Sequence, residues 1–186
     1  MSFLELLLIA IGLSMDSFAV SLTSGTLPYV TLKKGLKIAI IFALFQAIMP
    51  VLGWLLGVAF KGMIEQIDHW IAFSLLFIIG LKMIIEAIKA KPEERKFNIS
   101  QNHILIMLAL ATTIDAFVVG ISFGFLEASI LKASIIIGII TFIFSYGGIY
   151  LGKLNRFIKP RTAELIGGLV LIIIGIKILI EHIKLI

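Results

Sequence analysis

A run of about 20 apolar residues constrains a fold more tightly than any other pattern, because it is the length an α-helix needs to cross a bilayer. This chain has six such runs: residues 3–23, 36–60, 70–88, 104–125, 130–152 and 163–180. Turn residues and charges separate them, among them Pro28, Lys91-Pro92-Glu93-Glu94 and Lys159-Pro160-Arg161. The second run is long and contains Pro50, which predicts a kinked or tilted helix. With 60% of 186 residues hydrophobic and a mean hydropathy of +1.15, the chain carries more apolar surface than a soluble domain can hide. The reading is an all-α integral membrane protein, a single membrane domain over residues 1–186 with six transmembrane helices. The first run has no basic segment before it and an Asp inside it, so it reads as a retained helix and not as a signal peptide.

The net charge of +5 becomes informative once it is placed. The loops after the first, third and fifth runs hold Lys33, Lys34, Lys37, Lys89, Lys91, Arg95, Lys96, Lys153, Arg156, Lys159 and Arg161. The opposite side holds only Lys61, Lys132 and Lys184, while Lys82 and Lys177 lie within spans. Basic residues accumulate on the cytoplasmic side of short loops. Both termini are therefore expected outside the cytoplasm, in the cell membrane of a prokaryote. The basic residues are a topology signal, and no nucleic-acid partner is needed to explain them; the bilayer itself is the expected surrounding. The absence of Cys removes disulfides, thiolate metal sites and cysteine nucleophiles.

Against this background Asp16 and Asp115 stand out. Each lies mid-run, where a carboxylate costs roughly 2.5–3.5 kcal/mol on insertion scales. Both occupy the frame Asp-x-Phe-x-Val, as Asp16-Ser17-Phe18-Ala19-Val20 and Asp115-Ala116-Phe117-Val118-Val119. A shift of 99 residues superposes 7–53 on 106–152 without a gap, matching Ala10 to Ala109, Gly25 to Gly124, Phe45 to Phe144 and Gly53 to Gly152. A shift of 95 then sets Lys82 on Lys177 and Glu86 on Glu181. The chain reads as a duplication: repeat one at 1–90, a cytoplasmic linker at 91–102 and repeat two at 103–186. Three spans per repeat make the second copy enter the membrane from the opposite side, an inverted arrangement that places transport sites near the midplane. An axis in the membrane plane would carry Asp16 close to Asp115 if the first and fourth helices pack together, and the small-residue face of Gly12, Asp16, Ala19 and Thr23, with its counterpart of Ala111, Asp115, Val118 and Ser122, allows it.

Two carboxylates in a dry site invite a divalent cation, and oxygen ligands suit Mg²⁺, Ca²⁺ and Mn²⁺. Nearby hydroxyls are Ser14, Ser17, Thr112 and Thr113. Pro50 leaves the carbonyl of Gln46 without its helical donor, and the Gln46 amide adds another oxygen. Met49 offers a thioether that Mn²⁺ tolerates better than Mg²⁺ or Ca²⁺. The candidate metal residues are thus Asp16, Asp115, Gln46, Met49 and Thr112. The accessory set is Glu86, Glu181, Lys82, Lys177 and Pro50. The spacings Lys82/Glu86 and Lys177/Glu181 are i, i+4 and allow pairing along one helix face, towards opposite membrane faces and away from the aspartates. No resident cofactor is expected.

Ile11-Gly12-Leu13-Ser14-Met15-Asp16-Ser17-Phe18-Ala19-Val20-Ser21 resembles the first signature of the MntP-type manganese efflux pumps, within a wider group that includes lysine exporters. Phe45-Gln46-Ala47-Ile48-Met49-Pro50-Val51-Leu52-Gly53-Trp54 resembles their second-helix signature. Ile79-Gly80-Leu81-Lys82-Met83-Ile84-Ile85-Glu86 and Ala111-Thr112-Thr113-Ile114-Asp115-Ala116-Phe117-Val118-Val119-Gly120 are similar to the third and fourth. The resemblance covers essentially the whole chain. It implies export of manganese as substrate, with Asp16 and Asp115 essential and Glu86 a helper. The second copy has Ser145-Tyr146-Gly147-Gly148 where the first has Gln46-Ala47-Ile48-Met49, which predicts an asymmetric site.

The competing functions are an exporter of cadmium, calcium or a small solute, a non-transporting membrane scaffold, and an intramembrane aspartyl protease. The protease signatures Gly-x-Gly-Asp and Tyr-Asp are absent, so a transporter and not an enzyme is expected. No phosphate-binding Gly-x-x-x-x-Gly-Lys-[Ser/Thr] loop occurs to couple ATP; proton exchange through the same aspartates and a simple electrogenic exit path both remain open, the second opposed by a negative-inside potential. An amino-acid carrier would need a cationic group beside the carboxylates, and the spacing puts none there. A homo-oligomer is compatible with the sequence.

Overall fold

The computed structural model describes residues 3–64, 68–89, 99, 101–126, 129–154 and 160–183. They form α1 (Phe3–Gly25), α2 (Leu32–Ile64), α3 (Asp68–Lys89), α4 (Asn102–Ala111), α5 (Ile114–Phe125), α6 (Ile130–Leu154) and α7 (Pro160–Ile183). The described chain is all-helical. Three helices are long and apolar enough to cross a membrane: Phe3–Gly25, Leu32–Ala59 and Ile130–Leu154. The pair α4 and α5 is apolar and long enough only when taken together, is bent by 41° at its break, and adds a fourth span if the two helices cross as one. The apolar described stretches of α3 and α7 are shorter, Phe73–Ile85 and Gly168–Lys177. Most of the expected linker lies outside the described residues, as do the side chains of Glu86 and Glu181.

The surface is inverted relative to a water-soluble protein. On α2 an exposed ridge of Leu36, Ile40, Leu44, Ile48, Leu52 and Leu55 runs the length of the helix. Ile135, Ile139 and Ile143 repeat it on α6, at the positions matching Leu36, Ile40 and Leu44. Such ridges suit lipid tails and would be a liability in water. Inside lie Ser14, Ser17, Ser21, Gln46, Thr113, Asp115, Ser122, Thr141 and Ser145, all buried. The main apolar core joins Leu6, Ile9 and Leu13 of α1, Leu76 and Met83 of α3, Val119 and Phe123 of α5, Ile137 of α6 and Leu171 of α7.

The first and fourth spans do not form the direct pairing that the small-residue faces allow. The most extensive interface of α1 is with α6, followed by α7; α5 packs on α2 and then α3. The pairs α2·α6 and α3·α7 complete the bundle, and α1·α5 is not one of its main interfaces. The reason is where the glycines meet backbone. A Cβ on Gly53 would land on the Phe117 carbonyl, one on Gly120 on the Pro50 carbonyl, and one on Gly152 on the Leu22 carbonyl. Gly57 and Gly124 face each other in the same way. Glycine surfaces that let backbones approach this closely decide which helices associate. The matched glycines Gly53 and Gly152 thus sit in matched interfaces, α2 on α5 and α6 on α1. These contacts also give directions: α1 and α6 run parallel, α2 and α5 run parallel, and α3 and α7 run antiparallel, with Gly80 on Gly168 and Gly175 on Phe73 and Leu76.

The second difference is the break at Thr112-Thr113, which the sequence reading ran through as one helix. The last carbonyls of α4 need donors there. Thr112 Oγ1 donates to the Leu108 and Ala109 carbonyls at 3.0 and 3.1 Å, and Thr113 Oγ1 to those of Ala109 and Leu110 at 2.8 and 3.1 Å. Two adjacent β-branched hydroxyl residues both disfavour the helix and satisfy the ends that its interruption exposes. The matching Leu13-Ser14 leaves α1 continuous.

Candidate metal path

The break puts Asp115 in the first turn of α5, where the helix dipole favours negative charge. Its Oδ1 accepts the Ala116 backbone N–H at 2.8 Å. Its Oδ2 is buried and has no hydrogen-bond partner among the described residues. Asp16 reaches the same place from the middle of α1. The two aspartates line one cavity of about 270 Å³, closed by Leu75, Ile78, Ile79 and Met83 of α3 and by Ile114 and Val118 of α5. The two repeat-matched carboxylates are therefore brought together although their helices do not form a main interface; residues of α3 line the cavity they share. Among the described residues no third His, Cys, Asp or Glu joins the pair.

The other sequence candidates divide. Gln46 is fully buried, and its Nε2 donates to the Leu13 carbonyl of α1 at 3.1 Å, one turn from Asp16. Its Oε1 is buried without a partner among the described residues. Pro50 is buried inside an unbroken α2, and its carbonyl sits against Gly120. The carbonyl of Ala47 accepts the Ser134 hydroxyl at 2.6 Å. Met49 packs against the main apolar core. The hydroxyl proton of Thr112 goes to helix carbonyls. None of Gln46, Met49 and Thr112 lines the aspartate cavity. Ser14 donates to the Ala10 carbonyl and lies 2.9 Å from the Thr141 hydroxyl, in the α1–α6 interface.

The two matched lysines behave differently from each other. Lys177 of α7 makes an ion pair with the buried Glu5 of α1. Lys82 of α3 lines the aspartate cavity itself. The expectation that no cationic side chain reaches the level of the aspartates is corrected here: a Lys stem is long enough to lie along α3 and bring its ammonium to the carboxylates. Spacing along one helix pairs Lys82 with Glu86 and is blind to what a neighbouring helix presents.

Residues 29–179 match the family described as "Putative manganese efflux pump". A chain named "Putative manganese efflux pump MntP" from Methanosarcina barkeri is 50% identical over 184 residues, covering 98% of each chain. One from Gloeothece citriformis is 46% identical, over 98% of this chain and 97% of its own. "Putative manganese efflux pump MntP 2" from Clostridium botulinum is 45% identical, over 98% and 96%. No solved structure matches the chain. The apolar helices make it a multi-pass membrane protein, and the matches make it a transporter and not an enzyme: the chain belongs to the manganese efflux pump family.

Proposed function

We propose that the chain exports Mn²⁺ from the cytoplasm by secondary transport, through a site formed by Asp16 and Asp115 near the membrane midplane. The observation that carries this is the shared cavity of two repeat-matched aspartates, one with a buried oxygen lacking any partner among the described residues. A carboxylate oxygen held dry and unpartnered is costly unless a cation or a proton completes it. Mn²⁺ and protons then compete for the same oxygens, which is the basis for exchange. The broken fourth span supports the reading, since interrupted helices place helix ends at midplane ion sites.

The architecture that goes with this function has six spans in two inverted three-helix repeats, 1–90 and 103–186, joined by a cytoplasmic linker, with both termini outside. The matched interfaces α1·α6 and α2·α5 and the helix directions support it. Gln46, with its oxygen aimed inward beside α1, and the carbonyl freed by Pro50 tune metal choice, while Thr112 and Met49 have weaker claims as ligands. Glu86 and Glu181 act at the two mouths.

The Lys82 position favours one second reading, a zwitterion carrier that holds an amine at the aspartates and a carboxylate at the lysine. Flux in liposomes containing the pure protein separates the two. Mn²⁺, Cd²⁺, Ca²⁺, Mg²⁺ and lysine are offered with and without a pH gradient. Mn²⁺ flux that accelerates against a proton gradient supports manganese exchange. Lysine flux with no Mn²⁺ flux overturns it.

A further inference from the structure

The charge balance around the aspartate cavity includes one group that the transport reading leaves unexplained. Lys82 lines the cavity with Asp16 and Asp115, and every other lining residue is apolar. It also lines a wider groove on the outer flank of α3, whose other walls are Ile78, Leu81 and Ile85. Its repeat partner Lys177 has Glu5 to pair with, but the residue that a 99-residue shift sets opposite Glu5 is Ile104. The second copy thus lacks the carboxylate that holds Lys177, and in an apolar setting an ammonium needs a carboxylate.

We propose that Lys82 is the built-in counter-cation of the Asp16–Asp115 pair, which competes with the incoming metal ion for the carboxylates and stays beside the loaded site, so that it weakens metal binding and speeds release. This rests on the reading of the two aspartates as the metal site. With both carboxylates ionised, Lys82 leaves the empty site with one net negative charge and the Mn²⁺-loaded site with one net positive charge. Without it the empty site carries two negative charges and the loaded site none. The cost of a charge in a poorly polarisable medium grows with its square. The lysine therefore makes the two states comparable in cost, whereas its removal favours the loaded state strongly. A carrier that must release its ion on the far side works better with the balanced pair. Lys82 is a positioning residue in this scheme and does not ligate the metal.

The test is equilibrium Mn²⁺ binding to the purified full-length chain at fixed pH, read from the paramagnetic resonance of free Mn²⁺. Lys82→Met should bind more tightly than the parent, on the order of tenfold or more, and Lys82→Arg should stay near the parent. In liposomes Lys82→Met should show a lower half-saturating Mn²⁺ concentration together with a lower maximal flux. Because the chain has no cysteine, Lys82→Cys adds a second measurement that does not depend on Lys82→Met folding. Lys82→Cys should bind tightly, and modification with a thiol reagent carrying an ammonium group should restore the weaker parent affinity. Unchanged or weaker binding in Lys82→Met and in unmodified Lys82→Cys overturns the proposal and fits a lysine paired with Glu86 on its own helix. Asp16→Asn separates the two levels. If it loses binding while Lys82→Met is unaltered, the counter-cation fails and the aspartate site stands; if it binds Mn²⁺ normally, the underlying site fails as well.

Discussion

Asp16 and Asp115 share one cavity and decide what charge it can hold. Asp16→Asn and Asp115→Asn keep volume and remove one charge each, so both should insert and fold yet lose Mn²⁺ flux by about a hundredfold or more; even groups that only support a metal's ligands are worth about 10–100-fold. Flux into liposomes checks this, and near-parent export by either variant rules out a paired-carboxylate site. Gln46→Ala removes the tie from α2 to the Leu13 carbonyl and the buried Oε1. It should raise the half-saturating Mn²⁺ concentration several-fold while flux persists, and competition between Mn²⁺ and Ca²⁺ should shift. The aspartates were legible in the sequence because a mid-membrane carboxylate is too costly to be incidental. The place of Lys82 was not, because periodicity along α3 ranks Glu86 as its nearest partner, and only the tertiary packing that sets α3 on α5 puts Lys82 on the wall of the aspartate cavity.

Helices were legible as apolar runs, and their partners were not. Small residues around Asp16 and Asp115 point to an α1–α5 contact, whereas the closest backbone approaches are at Gly53, Gly120 and Gly152, on interfaces that join α2 to α5 and α6 to α1. A small residue shows where a helix can be approached and leaves open by which neighbour. A direct test follows from this packing. Gly120→Ala places a methyl group on the Pro50 carbonyl, and two helix backbones cannot both yield. It should destabilise the protein by roughly 1–3 kcal/mol, as overpacking generally does. Gly147→Ala, with nothing within 4 Å of the new Cβ, should be neutral. Thermal unfolding in detergent compares the two, and equal stability of both variants would mean that α2 and α5 are not in backbone contact. The break before Asp115 had a visible signal in Thr112-Thr113, which a hydropathy scan reads as merely apolar enough.

For the whole molecule, charge asymmetry and helix direction bear on one question. Eleven basic residues flank the ends of the first, third and fifth apolar runs and three lie on the other side. Short loops rich in Lys and Arg are retained on the cytoplasmic side as a rule, and that is where the more basic side of this chain is expected. The parallel and antiparallel pairs of the bundle fit alternating spans: α1 and α6 share one direction, and α2 and α5 share the other. In the proposed six-span topology, an odd number of spans per repeat would turn the second Asp frame upside down relative to the first, so that one sequence frame could supply both carboxylates of a single cavity. In the proposed mechanism a chain inserted the other way round would carry its ion in the opposite direction. A cysteine appended after Ile186 of the otherwise cysteine-free chain should therefore react with an impermeant thiol reagent in intact cells, whereas one placed at Asn98 should react only after the cells are opened. Labelling at Asn98 with protection after Ile186 would reverse the orientation and, with it, the direction of transport.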